Sequence, residues 1–269
     1  MKRFTIIPAL MLAGSCLLSG CSGCSKEANV DLSSAHTTAA VETMAPTTAQ
    51  PSEEETETST AVSEESAAAS VSASTETYTS GNISIQYPVV SSMDDEEKEK
   101  KVNELLKSNA LSFLKAQGVD EKKDTLSIKC KIVSADRRRI TAVYTGQLNA
   151  SGAAHPISVF FTNTVDLNKG TDIGFSTYAD PYTMAGYVMS EDCQFDGLSA
   201  ENTKAAKEYI AAQSIDYYHK LFESADFPLE DGKFPESFSY EKQGEIYFSI
   251  PMPHAMGDYA IVKFTPDTK

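Results

Sequence analysis

The chain has 269 residues and a formal net charge of −15, with 41% apolar and 23% charged residues and no Trp. Its length allows one large or two small domains, but the uneven spread of apolar residues means that the ordered part is shorter than the chain. Acid exceeds base in every segment after residue 25, which argues against nucleic acid as a partner, since phosphate binding needs clustered Lys and Arg; a basic partner is the natural complement.

Lys2 and Arg3 precede an apolar run from Phe4 to Leu18 that is closed by small residues. The run is too short to span a bilayer and is built as a secretory signal is. Its end, Leu18, Ser19, Gly20 and Cys21, resembles the bacterial lipobox, in which diacylglycerol is attached to the Cys sulfur before cleavage. That resemblance implies a lipoprotein signal peptide at 1–20 and a lipidated mature N-terminus at Cys21. The expected location is the outer face of the bacterial cytoplasmic membrane, with the membrane as a partner through the N-terminal lipid. Two or more acyl chains are enough for stable anchoring. Residues 26–77 are mostly Ser, Thr, Ala and Glu, with Pro46 and Pro51 and no aromatic residue. They cannot bury enough apolar surface to offset their ordering entropy, so 21–77 is expected to be a lipidated Cys and a disordered tether, with a reach of about 40 Å as a flexible coil.

Aromatic and β-branched residues start at Tyr78, which places the domain at 78–269. Ile83, Ile85 and Tyr87 alternate with polar residues up to Pro88 and predict a short edge strand. A helix follows, capped by Ser91 or Ser92, with acids at 94–97 in its first turn, Gly118 at its end and a buried stripe of Val102, Leu105, Leu106, Ala110, Phe113 and Leu114. Leu126 to Ile132 and Ile140 to Leu148 predict a hairpin with one wet face. The apolar centre of 156–166 predicts a strand buried on both sides. Residues 181–189 read as a short helix and Ser199 to about Ala225 as a longer one. Phe238 to Ile250 reads as a hairpin, followed by a Pro-bounded turn and a strand from Tyr259 to Phe264. The fold class expected is α+β, an antiparallel sheet with helices packed on one face.

Four stretches together resemble a known extracytoplasmic module. They are ISIQYP (83–88) with the helix carrying Lys101, Val102 and Asn103; SGAAHP (151–156) with TNTVDLNKGTDI (162–173); DPYTMAGYV (180–188); and IPMPHAMGDYAIVKF (250–264). This order resembles the module ahead of the catalytic domain in PdaC-type peptidoglycan deacetylases and the ectodomain of RsiV-type anti-sigma factors, over almost all of 78–269. In the anti-sigma relatives the ectodomain binds lysozyme, so the resemblance implies a binding module. The chain departs from the pattern in two ways: Ala154 stands where the loop usually has a second Gly, and no stretch resembles a sigma-binding segment or a deacetylase domain.

Little in the sequence signals chemistry. His155, His219 and His254 have no second His or Cys at metal-ligand spacing, and there is no Gly-x-Ser-x-Gly elbow, P-loop or GxGxxG, so no metal and no cofactor is expected. His155, between small residues and Pro156 at a hairpin mouth, either faces a ligand or fixes its own loop, and His254 in its Pro-bounded turn offers the same choice. The candidate ligand-binding residues are therefore Ala154, His155, Pro156 and His254, with Tyr144 on the strand leading to the loop. Cys130 and Cys193 would either form a disulfide, worth on the order of 4 kcal/mol, or stay free, since Cys130 lies on the apolar face of its strand. Tyr178, Tyr182, Tyr187, Tyr217, Tyr218 and Tyr240 serve either as core and rim or as a binding face. The function expected is a lipid-anchored, non-catalytic cell-surface binding domain for a basic protein such as lysozyme or for the cell-wall polymer peptidoglycan. The alternative is a cell-wall hydrolase or esterase that uses His155 or His254, and a structural lipoprotein is a third class.

Overall fold

A computed structural model describes residues 71–230 and 232–266. The expected signal peptide, the expected lipidation site Cys21 and the expected tether up to residue 70 lie outside the described residues. Two sheets follow one another along the chain. The first has the spatial order β1 (Ser72–Ser80), β2 (Ile83–Ser91), β3 (Thr125–Ala135), β4 (Arg139–Asn149), β5 (Ile157–Asp166), β6 (Thr171–Asp172). The second contains β7 (Gln194–Asp196), β8 (Ser239–Lys242), β9 (Glu245–Pro251) and β10 (Tyr259–Phe264), in the order β7-β10-β9-β8. Helix α1 (Glu96–Ala116) belongs with the first sheet, and α2 (Pro181–Val188), α3 (Ala200–Ala211) and α4 (Ile215–Glu223) belong with the second. The class is α+β, but with two sheets in place of one. The pair β2–β3 is parallel, because α1 crosses over between these strands. No helix among the described residues is long and apolar enough to cross a membrane.

The sheet opens at Ser72, inside the stretch that composition assigns to the tether. β1 pairs along its whole length with β2, through a turn in which Gly81 has φ 56° and a Cβ would lie 2.6 Å from the Glu121 carbonyl oxygen. Covered by β1, β2 is an interior strand, not the edge strand its Pro suggested, and it runs through Pro88 to Ser91. Hydrogen-bonded pairs alternate along such a hairpin from Ser80–Ile83, which leaves the Pro88 nitrogen on the side facing away from β1. Pairing with β3 has already ended there, at Ile85. Asn103 of α1 takes over at Val90, accepting its N–H at 2.8 Å and donating to its carbonyl at 2.9 Å. Helix α1 is capped by Asp95, one turn later than either serine, and ends before Gly118 at φ 62°.

β5 is covered on both faces. Its odd residues face α1: Phe161 stacks at 6.0 Å on Phe113 and at 4.2 Å on Tyr144, and Asn163 accepts from Asn109 at 3.2 Å. Its even residues meet the second sheet: Phe160 lies 5.1 Å from Tyr259, and the Thr162 hydroxyl donates to the Ser239 carbonyl at 2.6 Å. An ion pair between Arg139 and Glu241, at 3.0 Å, adds a second tie between the sheets.

The long helix expected over 199–225 is two helices. Ser214 restarts the chain as an N-cap, accepting from Tyr217 N–H at 3.1 Å, and the restart shifts the buried stripe to Tyr218, Leu221 and Phe222. α2, α3 and α4 all pack on the face of the second sheet that carries Ile246, Phe248 and Ile250.

Two glycine substitutions test this packing. A Cβ at Gly146 would lie 2.2 Å from the Ser127 carbonyl oxygen and 2.9 Å from the Ile128 Cα, both backbone atoms of the paired strand. Gly146→Ala is expected to cost at least about 1–3 kcal/mol in urea unfolding. Gly186, inside α2 with open space around it, is expected to gain about 0.5–1 kcal/mol as Ala.

Candidate functional site

Two loops distant in sequence converge at one end of the molecule. The β4–β5 loop carries His155, the β9–β10 turn carries His254, and their ring centroids lie 6.0 Å apart with planes tilted by 32°. The β4–β5 loop is held at its base by Asp124, a buried carboxylate that accepts the Ser151 N–H at 2.7 Å. Gly152 takes φ 87°, whereas neither Ala153 nor Ala154 has a positive φ, so both methyl groups fit without strain. Ala154, His155 and Pro156 are all exposed. The β9–β10 turn is a short 3-10 turn, His254–Met256, closed by Gly257 at φ 98° and by Asp258 at φ 72°.

Asp258 ties the two loops together. One carboxylate oxygen lies 2.6 Å from His254 Nδ1, and the other accepts the Ser158 N–H at 2.7 Å at the start of β5. Partial burial would push this carboxyl up, but the Ser158 backbone N–H and the His254 ring together hold it below the usual carboxylate range. Asp258 is therefore the ionised centre of the site. Sequence reasoning passed over it, although it stands four residues after His254 with a glycine immediately before it. Among the described residues no hydrogen bond ties the His155 ring to its own loop, and its ring contact is with His254.

Asp258 also lines an open groove of about 740 Å³. Phe113 comes from α1, Ile157 and Phe160 from β5, Tyr259 from β10, and Leu229 and Phe234 from the segment before β8. Ile157 is 41% exposed, and Phe160, Phe234 and Tyr259 are half-buried. Lys115, Lys233 and Glu236 supply charge around this apolar lining. A second hollow of about 380 Å³ shares Lys233, Phe234, Pro235 and Glu236 with it and extends to Tyr217 and Lys220.

Other expected site residues lie elsewhere. Tyr144 is fully buried on the α1-facing side of β4, stacked on Phe161 and opposite Cys130, and takes no part in a ligand surface. Cys130 and Cys193 are both free, and each packs in a different core, Cys130 at the margin of the α1 side of the first sheet and Cys193 under the helices of the second. Of the two states the sequence leaves open, the free thiols are the one found, and burial pushes both up to about 12, so neither is a ready nucleophile. His219 is on α4, 3.4 Å from Glu223 and edge-on to the exposed Tyr182. The tyrosines do not share one face: Tyr218 is core, the Tyr187 hydroxyl donates to the Lys263 carbonyl, and Tyr240 stacks on Tyr247. No group of three or more His, Cys, Asp or Glu among the described residues could hold a metal ion.

No family model matches the chain, and no curated protein does. Among solved structures it is similar to a member of the DUF3298 family from Bacteroides fragilis. The two share 11% sequence identity at a TM-score of 0.37, over 72% of this chain and 90% of that one.

A second carboxylate is fully buried away from the groove's histidines. Asp226 accepts the Ser239 N–H at 2.6 Å and the Ser239 hydroxyl as well. Burial pushes this carboxyl up to about 7 against the pull of those bonds, and the nearby charge of Asp172 adds to the rise. Between pH of about 4 and 7 the folded chain therefore keeps a proton that the unfolded chain has released, so stability falls as pH rises through that window and levels off above it. The loss expected from this one group is on the order of 4 kcal/mol. Asp226→Asn keeps an acceptor for Ser239 and removes the titration, and urea unfolding at pH 5 and pH 8 should give nearly equal stabilities for the variant and a clear drop for the parent.

Proposed function

We propose that this chain is a binding domain displayed on the outer face of a bacterial cytoplasmic membrane, held there by lipid on Cys21 and by the acidic tether, and that it recognises a basic protein such as lysozyme. The observation that carries the reading is the convergence of the exposed His155 and His254 loops around an ionised Asp258 at the edge of an open, partly aromatic groove. The acidic excess over the chain attracts a cationic partner, the charges at the groove itself balance (Lys115 and Lys233 against Glu236 and Asp258), and Ile157, Phe160 and Tyr259 offer apolar area to bury on contact. The order of motifs that resembles the lysozyme-binding ectodomains runs through both loops.

The hydrolase or esterase alternative needs a nucleophile activated by one of the two rings. The hydrogen bond of His254 goes to Asp258, and among the described residues none joins either ring to a hydroxyl or a thiol. A second binding reading, the cell-wall polymer, is favoured by the aromatic lining, since sugar rings present C–H faces that pack on aromatic side chains.

Biosensor binding of lysozyme to the full chain in detergent micelles tests the reading. A saturable signal is expected at low salt and should weaken as ionic strength rises. His254→Ala and Tyr259→Ala are each expected to lower affinity by about tenfold, the scale of a central contact. Absence of any signal at low salt overturns lysozyme as the partner. Retention of the same protein by insoluble peptidoglycan would then move the assignment to the polymer.

A further inference from the structure

The pair His155 and His254 is unusual in its chemistry. Two imidazoles from loops about a hundred residues apart stand 6.0 Å apart between centroids, with their planes tilted by 32°. His254 Nδ1 is committed to Asp258 at 2.6 Å, while among the described residues no hydrogen bond engages His254 Nε2 or either nitrogen of His155. We infer that His155 and His254 form a two-imidazole site for a divalent cation of the zinc class, which clips the β4–β5 loop to the β9–β10 turn.

Three features support the assignment. The first is spacing. A zinc–nitrogen bond of about 2.0–2.1 Å puts a ring centroid about 3.2 Å from the metal, so two imidazoles on one ion have centroids about 5 Å apart at a tetrahedral angle and about 6 Å apart at a wider one. At 6.0 Å the rings stand at the wide end of this range, and a tetrahedral angle needs the two exposed loops to close by about 1 Å. The second is the arrangement behind His254. A ligating His characteristically donates its other ring N–H to a carboxylate, which fixes the tautomer and raises the basicity of the nitrogen that binds metal. Asp258 occupies that outer position and is itself fixed by Ser158 N–H, while its own carbonyl accepts the Met252 N–H at 2.8 Å. The third is access. The His254 side chain is 48% exposed, and His155 lies in an exposed loop, so a hydrated ion can enter and keep water in its remaining positions. The described residues supply no cluster of three or more metal-holding side chains, which makes this a two-ligand site completed by water, or by a donor group of whatever binds the groove. Nitrogen donors select the later first-row divalent ions, copper and zinc among them, over magnesium or calcium.

Titration of zinc chloride into the lipidated chain in detergent, with Cys24 changed to Ser to remove the free thiol near the N-terminus, reads the site without any macromolecular ligand. Its outcome is therefore independent of the lysozyme test. One zinc ion per chain is expected to bind. His155→Ala and His254→Ala should each weaken it at least tenfold, and Asp258→Asn by about 10–100-fold, the usual cost of losing such a carboxylate. His219→Ala should match the parent. Copper(II) in the same site should show two coordinated nitrogens by electron paramagnetic resonance in the parent and one in either His variant. Both histidines are on exposed loops, and unchanged thermal unfolding of the metal-free variants would show that the fold persists. No saturable zinc binding, or binding left intact in the His155→Ala, His254→Ala double variant, overturns the site.

Discussion

Covering β5 on both faces is the constraint on which the histidine-bearing end of the domain depends. A strand with one wet face could leave the first sheet and its helix as an independent layer. Here Phe161 and Asn163 are taken up by α1, while Phe160 and Thr162 are taken up by the second sheet. Removing either cover would expose aromatic surface worth about 1.5–3 kcal/mol per large side chain, so the two sheets stabilise each other through this one strand. The loops that enter β5 and β10 therefore have to meet at one end.

The meeting is then made specific by polar contacts rather than by area. β5 begins at Ile157, and its second residue has a backbone N–H on the side away from β4, where the first sheet supplies no partner for it. An N–H left unpaired beside the groove would be costly, and the Asp258 carboxylate satisfies it. The same carboxylate orients His254. The rim of the groove is thus fastened by the hydrogen bonding that the edge of the first sheet requires in any case.

Much of this was legible in the sequence wherever an apolar period is strong. The stripe of α1, the β3–β4 hairpin, the double burial of β5, the short α2 and the β8–β9 hairpin all stand where the pattern places them. β1 was not legible, because its Ser and Thr residues carry no apolar period and it is ordered by backbone pairing to β2. Nor was the break at Ser214, since one continuous period fits the two helices almost as well as two periods do. The two-sheet arrangement is a long-range property to which no window of sequence speaks. Tyr144 is instructive, since the signal was present. Cys130 already lay on the apolar face of β3, and the hairpin register sets Tyr144 opposite it, on that same face, which commits the ring to the core. The two histidine loops were each visible as candidates, but only the fold brings them within 6.0 Å of each other.

Asp226 and Asp258 show how burial and a neighbouring imidazole divide one structural device into two roles. Both residues adopt a left-handed backbone, with φ of 67° and 72°, a conformation that Asp tolerates better than most side chains. Both fold a carboxylate back to accept a strand N–H, from Ser239 in one case and Ser158 in the other. Asp226 is shut away, and its contacts with Ser239 and Thr162 do not offset that burial, so its charge is disfavoured and its carboxyl is pushed up to about 7. Asp258 is partly exposed and has His254 beside it, so its charge is favoured and its carboxyl is held low. The buried copy serves as a neutral fastening inside the protein over the acid range, and the surface copy stays anionic where a partner or an ion can use it. A fold that needs its strand ends tied down thus also obtains, at the one tie left open to solvent, the charged group around which a binding site can form.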